Sequence, residues 1–403
     1  MQADREFRLS TIRNLKMARS SHAYVRGSTI QFYDWLEGGN ATLPQGPEIW
    51  ICGDCHIGNL GPLADLKGRV SIQIRDLDQT VIGNPAHDLV RLGLSLASAA
   101  RGSDLPGLTT VRVLEQLVLG YTAALLGDFT AEKDRSSRSS QVQAVLARSV
   151  RRKWNDLAVE RLVEKEHFRT SKRFWALADA ERNDLDNLFA SEKVRRLLTS
   201  LHSRDGDEAV TLLDAAYWLK GCSSLGRLRY AVLVRIGKGR GAQLAVVDVK
   251  EAVQAAAPRS AQVPMPDDPS ERVLAGARSL SPSLGNRMLA TNTLGRSVFL
   301  RELLPQDLKL EVHTLAPAEA AALAHYLGSV VGRAHGRQMT MHQRTEWSEQ
   351  LERRRLRDID APSWLWSSVV DLLGRHEAAY LEHCRRHSAG TSTPADQVLA
   401  SHI

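Results

Sequence analysis

Gly53-Asp54-Cys55-His56-Ile57-Gly58-Asn59 is the stretch that decides how the chain folds and what it does. It follows Glu48-Ile49-Trp50-Ile51-Cys52, a short apolar run with the length and β-branching of a buried strand. Seventeen residues past Asn59 stand Asp76-Leu77-Asp78, directly behind a second strand candidate, Val70-Ser71-Ile72-Gln73-Ile74. Gly83-Asn84-Pro85-Ala86-His87-Asp88-Leu89 comes next and opens a helical pattern to about Leu126, with Leu89, Leu92 and Leu96 on one face. Phosphoryl transfer from a nucleoside triphosphate needs a carboxylate near the acceptor hydroxyl, plus oxygen ligands that hold magnesium between the phosphates. Asp54 and Asn59, five apart on one loop, can supply the base and one metal ligand; Asp76 can supply another, with Asp78 within reach.

In that order and at those spacings, GDCHIGN, DLD and GNPAHDL resemble the motifs of the kinase-like small-molecule phosphotransferases, such as the aminoglycoside and choline kinases. Cys52 stands where that group usually has His, a position that shapes the loop. Tyr24-Val25-Arg26-Gly27, GDCHIGNLG, RDLDQT and DLVRLGLSLA more closely resemble a bacterial family known only as domain of unknown function 2252, over most of the chain. The resemblance implies ATP and Mg2+ as cofactors, Asp54 as base, and Asn59, Asp76 and Asp78 at the metal. His56 and Asp88 then brace the site, Asp88 as a cap at a helix start. Arg26 is a candidate for a phosphate or the acceptor, with a surface or capping role as its rival.

Three other readings compete for the same residues. Asp and Asn behind strands are common turn formers. Cys52 and Cys55 make a C-x-x-C, which suggests redox or zinc chemistry, but no second cysteine pair stands nearby to complete a zinc site. Gly53-Asp54-Cys55-His56 also resembles part of a metallophosphatase signature, whose further Asp and Asn-His segments are not recognisable downstream.

A kinase-like fold needs a β-rich lobe with a glycine loop and a strand lysine. Only about fifty mostly helical residues precede Asp54, too few for such a lobe, and the missing parts occur later. Gly221-Cys222-Ser223-Ser224-Leu225-Gly226 lies between strand candidates at 211–220 and 228–236, so Gly221, Ser223, Ser224 and Gly226 can cover phosphates. The partner strand at 243–250 ends in Lys250, placed like the phosphate-gripping lysine of the third kinase strand. Glu271, in a short helix over 270–280, is the candidate to orient Lys250. A hairpin over 286–303 ends in Arg301-Glu302-Leu303, followed by Leu304-Pro305, resembling the hinge whose backbone meets adenine. A helix over 315–337 resembles the one that normally runs into the catalytic loop. The expected fold is therefore α+β: a two-lobed protein-kinase-like fold, circularly permuted. Residues 1–205 carry the catalytic and metal loops of a helix-rich large lobe, with a helical insert over 127–205. Residues 206–312 form the β-rich small lobe, and 313–403 return to the large lobe. Closely spaced termini make such rearrangements tolerable.

Length and composition agree. At about 150 residues per domain, 403 residues predict two or three domains or one large two-lobed unit. With 43% apolar and 25% charged residues, the chain is neither disordered nor collagen-like nor a disulfide scaffold. No apolar run approaches the length of a membrane span, and the charged N-terminus leads into no signal-peptide core. Four cysteines fit reduced thiols and a cytoplasmic location. The net charge is +7 and aromatics make up 5%, which disfavours a nucleic-acid platform. The densest basic stretch, Arg148 to Lys153, reads as a solvated helix face more readily than as an anion patch. The sequence thus points to an ATP- and Mg2+-dependent phosphotransferase acting on a small-molecule or protein hydroxyl. Nucleotidyl transfer (AMP addition) on the same fold, or a non-catalytic nucleotide-binding module, is the alternative. The expected partners are a nucleotide and an unknown acceptor, with no membrane.

Overall fold

In the computed structural model, residues 2–38, 43–127, 138–221 (apart from 162, 165, 170 and 172), 225–310, 316–352 and 355–388 (apart from 357 and 358) are described. The fold mixes helix, about half of the chain, with one six-stranded antiparallel sheet and several short hairpins. No helix among the described residues is long and apolar enough to cross a membrane.

The N-terminal helices are α1 (Gln2–Met17), α2 (Ser21–Val25) and α3 (Thr29–Gly38). Strand β1 (Ile49–Ile51) pairs antiparallel with β4 (Val81–Gly83), and between them β2 (Leu60–Ala64) and β3 (Val70–Ile74) form a hairpin. The hairpin register, Leu60 opposite Ile74, fixes the site. Asn59 and Arg75 flank its open end, where the Arg75 N–H donates to the Asn59 carbonyl at 2.7 Å. The helical pattern after Asp88 is two helices, α4 (Ala86–Arg101) and α5 (Gly107–Leu125), because Gly102 to Pro106 breaks it. α5 packs against the Pro317–Gly336 helix at glycine contacts: a Cβ on Gly120 would lie 1.9 Å from the His325 carbonyl. These elements share the larger core, with Leu89, Leu117, Leu323 and Leu327 at its centre.

Two small strands, β5 (Val163–Glu164) and β6 (His167–Phe168), precede the sheet. The sheet itself runs β11 (Met288–Thr293), β12 (Arg296–Leu303), β10 (Gln243–Glu251), β9 (Arg229–Ile236), β8 (Val210–Trp218), β7 (Phe174–Trp175). On one face Val232, Val234, Val247 and Val249 pack on Leu185, Phe189, Val194 and Leu198 from the helices Asp179–Phe189 and Glu192–Leu198, with Leu9 of α1. A strand and two helices from before residue 205 therefore pack with the sheet, beyond the strands expected over 211–303. The opposite face carries Ala231, Leu233, Val246 and Leu303. Side chains alternate along a strand, so Arg229, Asp248, Lys250 and Arg301 share that second face and turn toward the loop of Asp54.

Candidate functional site

The loop after β1 is held from every side. Gly53 sits at φ +73°, and a Cβ there would lie 2.1 Å from the Gln79 carbonyl oxygen, so only glycine fits. The Tyr33 hydroxyl donates to the Gly53 carbonyl at 2.7 Å. Fully buried Asp88 accepts from the Cys52 N–H at 2.7 Å and the Gly53 N–H at 3.0 Å, and its Oδ2 meets His335 Nε2 at 3.1 Å. Asp88 thus braces the preceding loop instead of capping its own helix; Pro85 occupies the cap position of α4.

This bracing presents Asp54. Its Oδ1 accepts from Arg91 Nε at 2.9 Å, Oδ2 lies 3.9 Å from His56 Nε2, and its backbone carbonyl accepts from the Asn59 amide at 2.9 Å. Burial pushes the Asp54 carboxyl up against the opposing pull of Arg91. Lys250, 3% exposed, donates to Asp76 Oδ1 at 3.3 Å and forms an ion pair with Asp78 Oδ2. Burial opposes the Asp76 charge, but Lys250, then a hydrogen bond with Asp78 and the charges of Arg301 and Arg229, hold its carboxyl well below the usual range. Burial and the neighbouring Asp76 charge push the Asp78 carboxyl up to about 6. Asp54, Asn59, Asp76, His56, Arg26 and Gly221 all line one cleft, with Lys250 closing its side through Asp76.

Other expected residues fall elsewhere. The Glu271 side chain is exposed in the first turn of the Pro269–Leu280 helix and is not brought to Lys250, whose partners are Asp76 and Asp78. Its neighbour Arg272 turns inward instead, donating to the carbonyls of Thr80, Asp78 (2.9 Å) and Val253 (2.8 Å). Glu302 is buried in a bidentate pair with Arg204 (2.6 and 2.7 Å), and with Leu303 it lines a separate cavity beside Trp154. Neither residue reaches the cleft of Asp54. Gly221 and Gly226 both hold positive φ, while Cys222, Ser223 and Ser224 lie outside the described residues. In the Arg148–Lys153 stretch Arg148, Arg151 and Lys153 are exposed, and Arg152 pairs with Glu160.

Sequence reasoning missed most of the cleft's positive charge: Arg75, Lys220, Arg229, Arg301 and Lys309 line it together with Arg26. The available signal was a charged residue at an inward position of an otherwise apolar strand, as Arg229 is in LRYAVLVRI. Asp248 partly neutralises this wall. It takes Arg229 at 2.8 and 2.6 Å and Arg301 at 3.4 Å, and these cations keep its carboxyl low despite burial. Burial and the neighbouring Arg161 and Arg229 push Lys220 well below its ordinary range. The cavity volume is about 60 Å³, enough for a few waters or a phosphate-sized ion but not for a nucleotide.

Sγ of Cys52, Sγ of Cys55 and a carboxylate oxygen of Asp88 lie within 4.8 Å of one another. Both thiols are fully buried, and Asp88 is already spent on the loop. The contact with Cys55 and burial push the Cys52 thiol well up. The contact with Cys52 pulls the Cys55 thiol down, but burial and the Asp88 charge raise it on balance. This trio is packing beneath the loop, and neither Cys52 nor Cys55 is in a disulfide.

Residues 5–386 match the model of a family described as an uncharacterized protein conserved in bacteria, DUF2252. The chain belongs to that family. No curated protein and no solved structure matches it significantly.

Proposed function

Taking that membership as the premise, we propose that this family member is an ATP- and Mg2+-dependent phosphotransferase acting on a hydroxyl acceptor, built as a circularly permuted, two-lobed kinase-like fold. One observation carries the reading: Lys250, from the third strand of a late β-meander, meets Asp76 across 174 residues of chain, in the cleft that also holds Asp54 and Asn59. Lysine, aspartate, asparagine and a buried second aspartate are the set that nucleotide phosphates, a divalent cation and an acceptor hydroxyl require. The Pro317–Gly336 helix supports it by joining the loop through His335 and Asp88, as a permuted catalytic helix should.

In this reading Asp54 is the base. Arg91 fixes Oδ1, which leaves Oδ2 for the acceptor proton, and a carboxylate raised by burial is the stronger base. Asn59 and Asp76 fit a hard cation: the Asn59 amide nitrogen is used on Asp54, leaving its oxygen, and Asp76 is held ionised. The cation would neutralise charge on the phosphates. Lys250 would exchange one of its aspartate contacts for the α- and β-phosphates. Because about 60 Å³ is too little for a nucleotide, its access requires the sheet face and the Asp54 loop to separate. Cytoplasmic location and the absence of a nucleic-acid partner belong to the same proposal.

The test is thermal stability with MgATP. Ligand at a hundredfold its Kd stabilises the folded state by about 2.7 kcal/mol. The expected result is a clear rise in Tm that needs both metal and nucleotide. No rise at saturating MgATP sinks the reading. A product carrying AMP in place of phosphate, seen by mass, would transfer it to nucleotidyl transfer.

A further inference from the structure

The cations of the cleft fall into two groups by their partners. Arg229 and Arg301 share Asp248, and Lys250 is held by Asp76 and Asp78. Arg26, Arg75 and Lys309 are different: among the described residues none of them has a carboxylate within 4.0 Å. Arg75 Nε is buried with no hydrogen-bond partner, and its Nη2 reaches only the Asp307 carbonyl at 3.4 Å. Lys309 lies close enough to Arg26 and Arg75 that burial and their charges push it down to about 7. Asp76 and Asp307 act on Arg75, and Asp76 on Lys309, only from beyond contact distance. Three crowded cations with no carboxylate in direct contact are costly unless an anion joins them.

Their place in the cleft says which anion. Arg75 follows β3 and binds the Asn59 carbonyl through its own N–H. Arg26 Nε lies 3.6 Å from where a Cβ on Gly58 would be, over the turn that carries Asp54 and Asn59. Arg26 and Arg75 therefore flank the loop of the proposed base, while Asp76, next in the chain to Arg75 and acting on Arg75 and Lys309, links the group to Lys250. The cavity admits a phosphate-sized ion as it stands.

We propose that Arg26, Arg75 and Lys309 form a site for a phosphate monoester, and that the acceptor is itself a phosphorylated alcohol. The acceptor assignment rests on the phosphotransferase reading above; the anion site does not. In the reaction, the free hydroxyl oxygen of the acceptor forms a bond to the γ-phosphorus of ATP. The bond from that phosphorus to the ADP oxygen breaks, ADP leaves with its electron pair, and the hydroxyl proton passes to Asp54 Oδ2. The acceptor's existing phosphate stays on the three cations and holds the hydroxyl in place.

The experiment measures binding of inorganic phosphate, sn-glycerol 3-phosphate, glycerol and MgATP to the full chain, wild type and Arg26→Gln/Lys309→Met. Phosphate and glycerol 3-phosphate should each raise the Tm of wild type without metal or nucleotide, and glycerol should not. The double variant should bind both anions about 10- to 100-fold more weakly, as expected for lost charge-assisted contacts, while its MgATP Kd stays within about threefold. Saturating phosphate should leave MgATP binding to wild type intact. No response to phosphate, or a response to free phosphate alone, overturns the proposal. So does competition with MgATP, or an equal loss of MgATP affinity in the double variant, because the nucleotide's own phosphates would then occupy the three cations. Phosphate binding with no MgATP binding would support the anion site and remove the phosphotransferase reading.

Discussion

His335 Nε2 lies 3.1 Å from Asp88 Oδ2, joining residues 247 apart in sequence at a point where both are fully buried. The contact ends a directional chain. Trp347 Nε1 donates to the Tyr121 hydroxyl at 3.0 Å, Tyr121 meets His335 Nδ1 at 2.9 Å, and Asp88 accepts from the Cys52 and Gly53 N–H groups. With the tyrosine hydroxyl donating to Nδ1, the imidazole hydrogen is on Nε2 and points at Asp88. Tyr121→Phe removes the relay's second link and leaves the Trp347 N–H and His335 Nδ1 buried without partners. Each orphaned group costs about 1–3 kcal/mol. The expected outcome is a fall in Tm, together with weaker MgATP binding because the loop loses its brace. Unchanged Tm in Tyr121→Phe would show that the chain carries no stability.

Gly53→Ala should be worse than its size suggests. The added methyl meets the Gln79 carbonyl at 2.1 Å, and φ +73° itself costs an alanine roughly 1 kcal/mol or more. Neither backbone can yield without moving Asp54 or the turn after Asp78. The expected loss of stability is above about 2 kcal/mol, measurable by denaturant titration. A variant as stable as wild type, with MgATP binding intact, would contradict the packing of this turn.

What the sequence reveals, and what it hides, follows from the range of the interactions. The motif loop is legible because its residues act at short spacing: Asn59 binds the Asp54 carbonyl five residues back, and the hairpin from Leu60 to Ile74 returns Asp76 to it. Lys250 is legible because it stands near the end of the second strand of an expected hairpin. Glu271 and Arg272 differ by one residue, which on a helix is a rotation of about 100°, enough to expose the first side chain and bury the second. Lys309 and Arg75 stand in no periodic pattern that marks them. They meet only because Leu310 N–H bonds to the Leu60 carbonyl, bringing the segment after β12 onto the β2–β3 hairpin. Glu302 and Leu303 end a strand as a hinge would, but the partner of the Glu302 side chain, Arg204, is 98 residues away and no spacing in the sequence marks it.

Lys309 gives a pH signature. Its ordinary value of 10.5 falls to about 7 in the folded chain, so between those values the unfolded chain carries a proton that the folded chain lacks. Stability attributable to this group is therefore lowest below about pH 7 and rises with pH toward 10.5, by up to about 1.4 kcal/mol per pH unit. Lys309→Met removes the penalty. Its Tm should exceed that of wild type at pH 6, with the difference shrinking steadily as pH rises to 9. Parallel Tm curves for the two proteins would place Lys309 in solvent.

The two aspartates of the motif separate by role. Asp76 is proposed to hold the metal, so Asp76→Asn should weaken MgATP binding, while Lys250 keeps Asp78 and the fold survives. Asp54 is proposed to take the acceptor proton, so Asp54→Asn should leave MgATP affinity within a few-fold of wild type and lower turnover by roughly 10²–10⁴. The structure adds a cost to the second variant. Arg91, 1% exposed along its side chain, loses the charge at Oδ1 and keeps only the Val25 carbonyl at 2.6 Å, so stability should fall in Asp54→Asn more than in Asp76→Asn. If both aspartates were only turn formers, the two variants would lose about a kcal/mol each and change activity only through folding. Titrating MgATP against both variants at a temperature where each is folded, beside their melting curves, distinguishes these cases. Equal MgATP affinity in Asp76→Asn and wild type would remove Asp76 from the metal site.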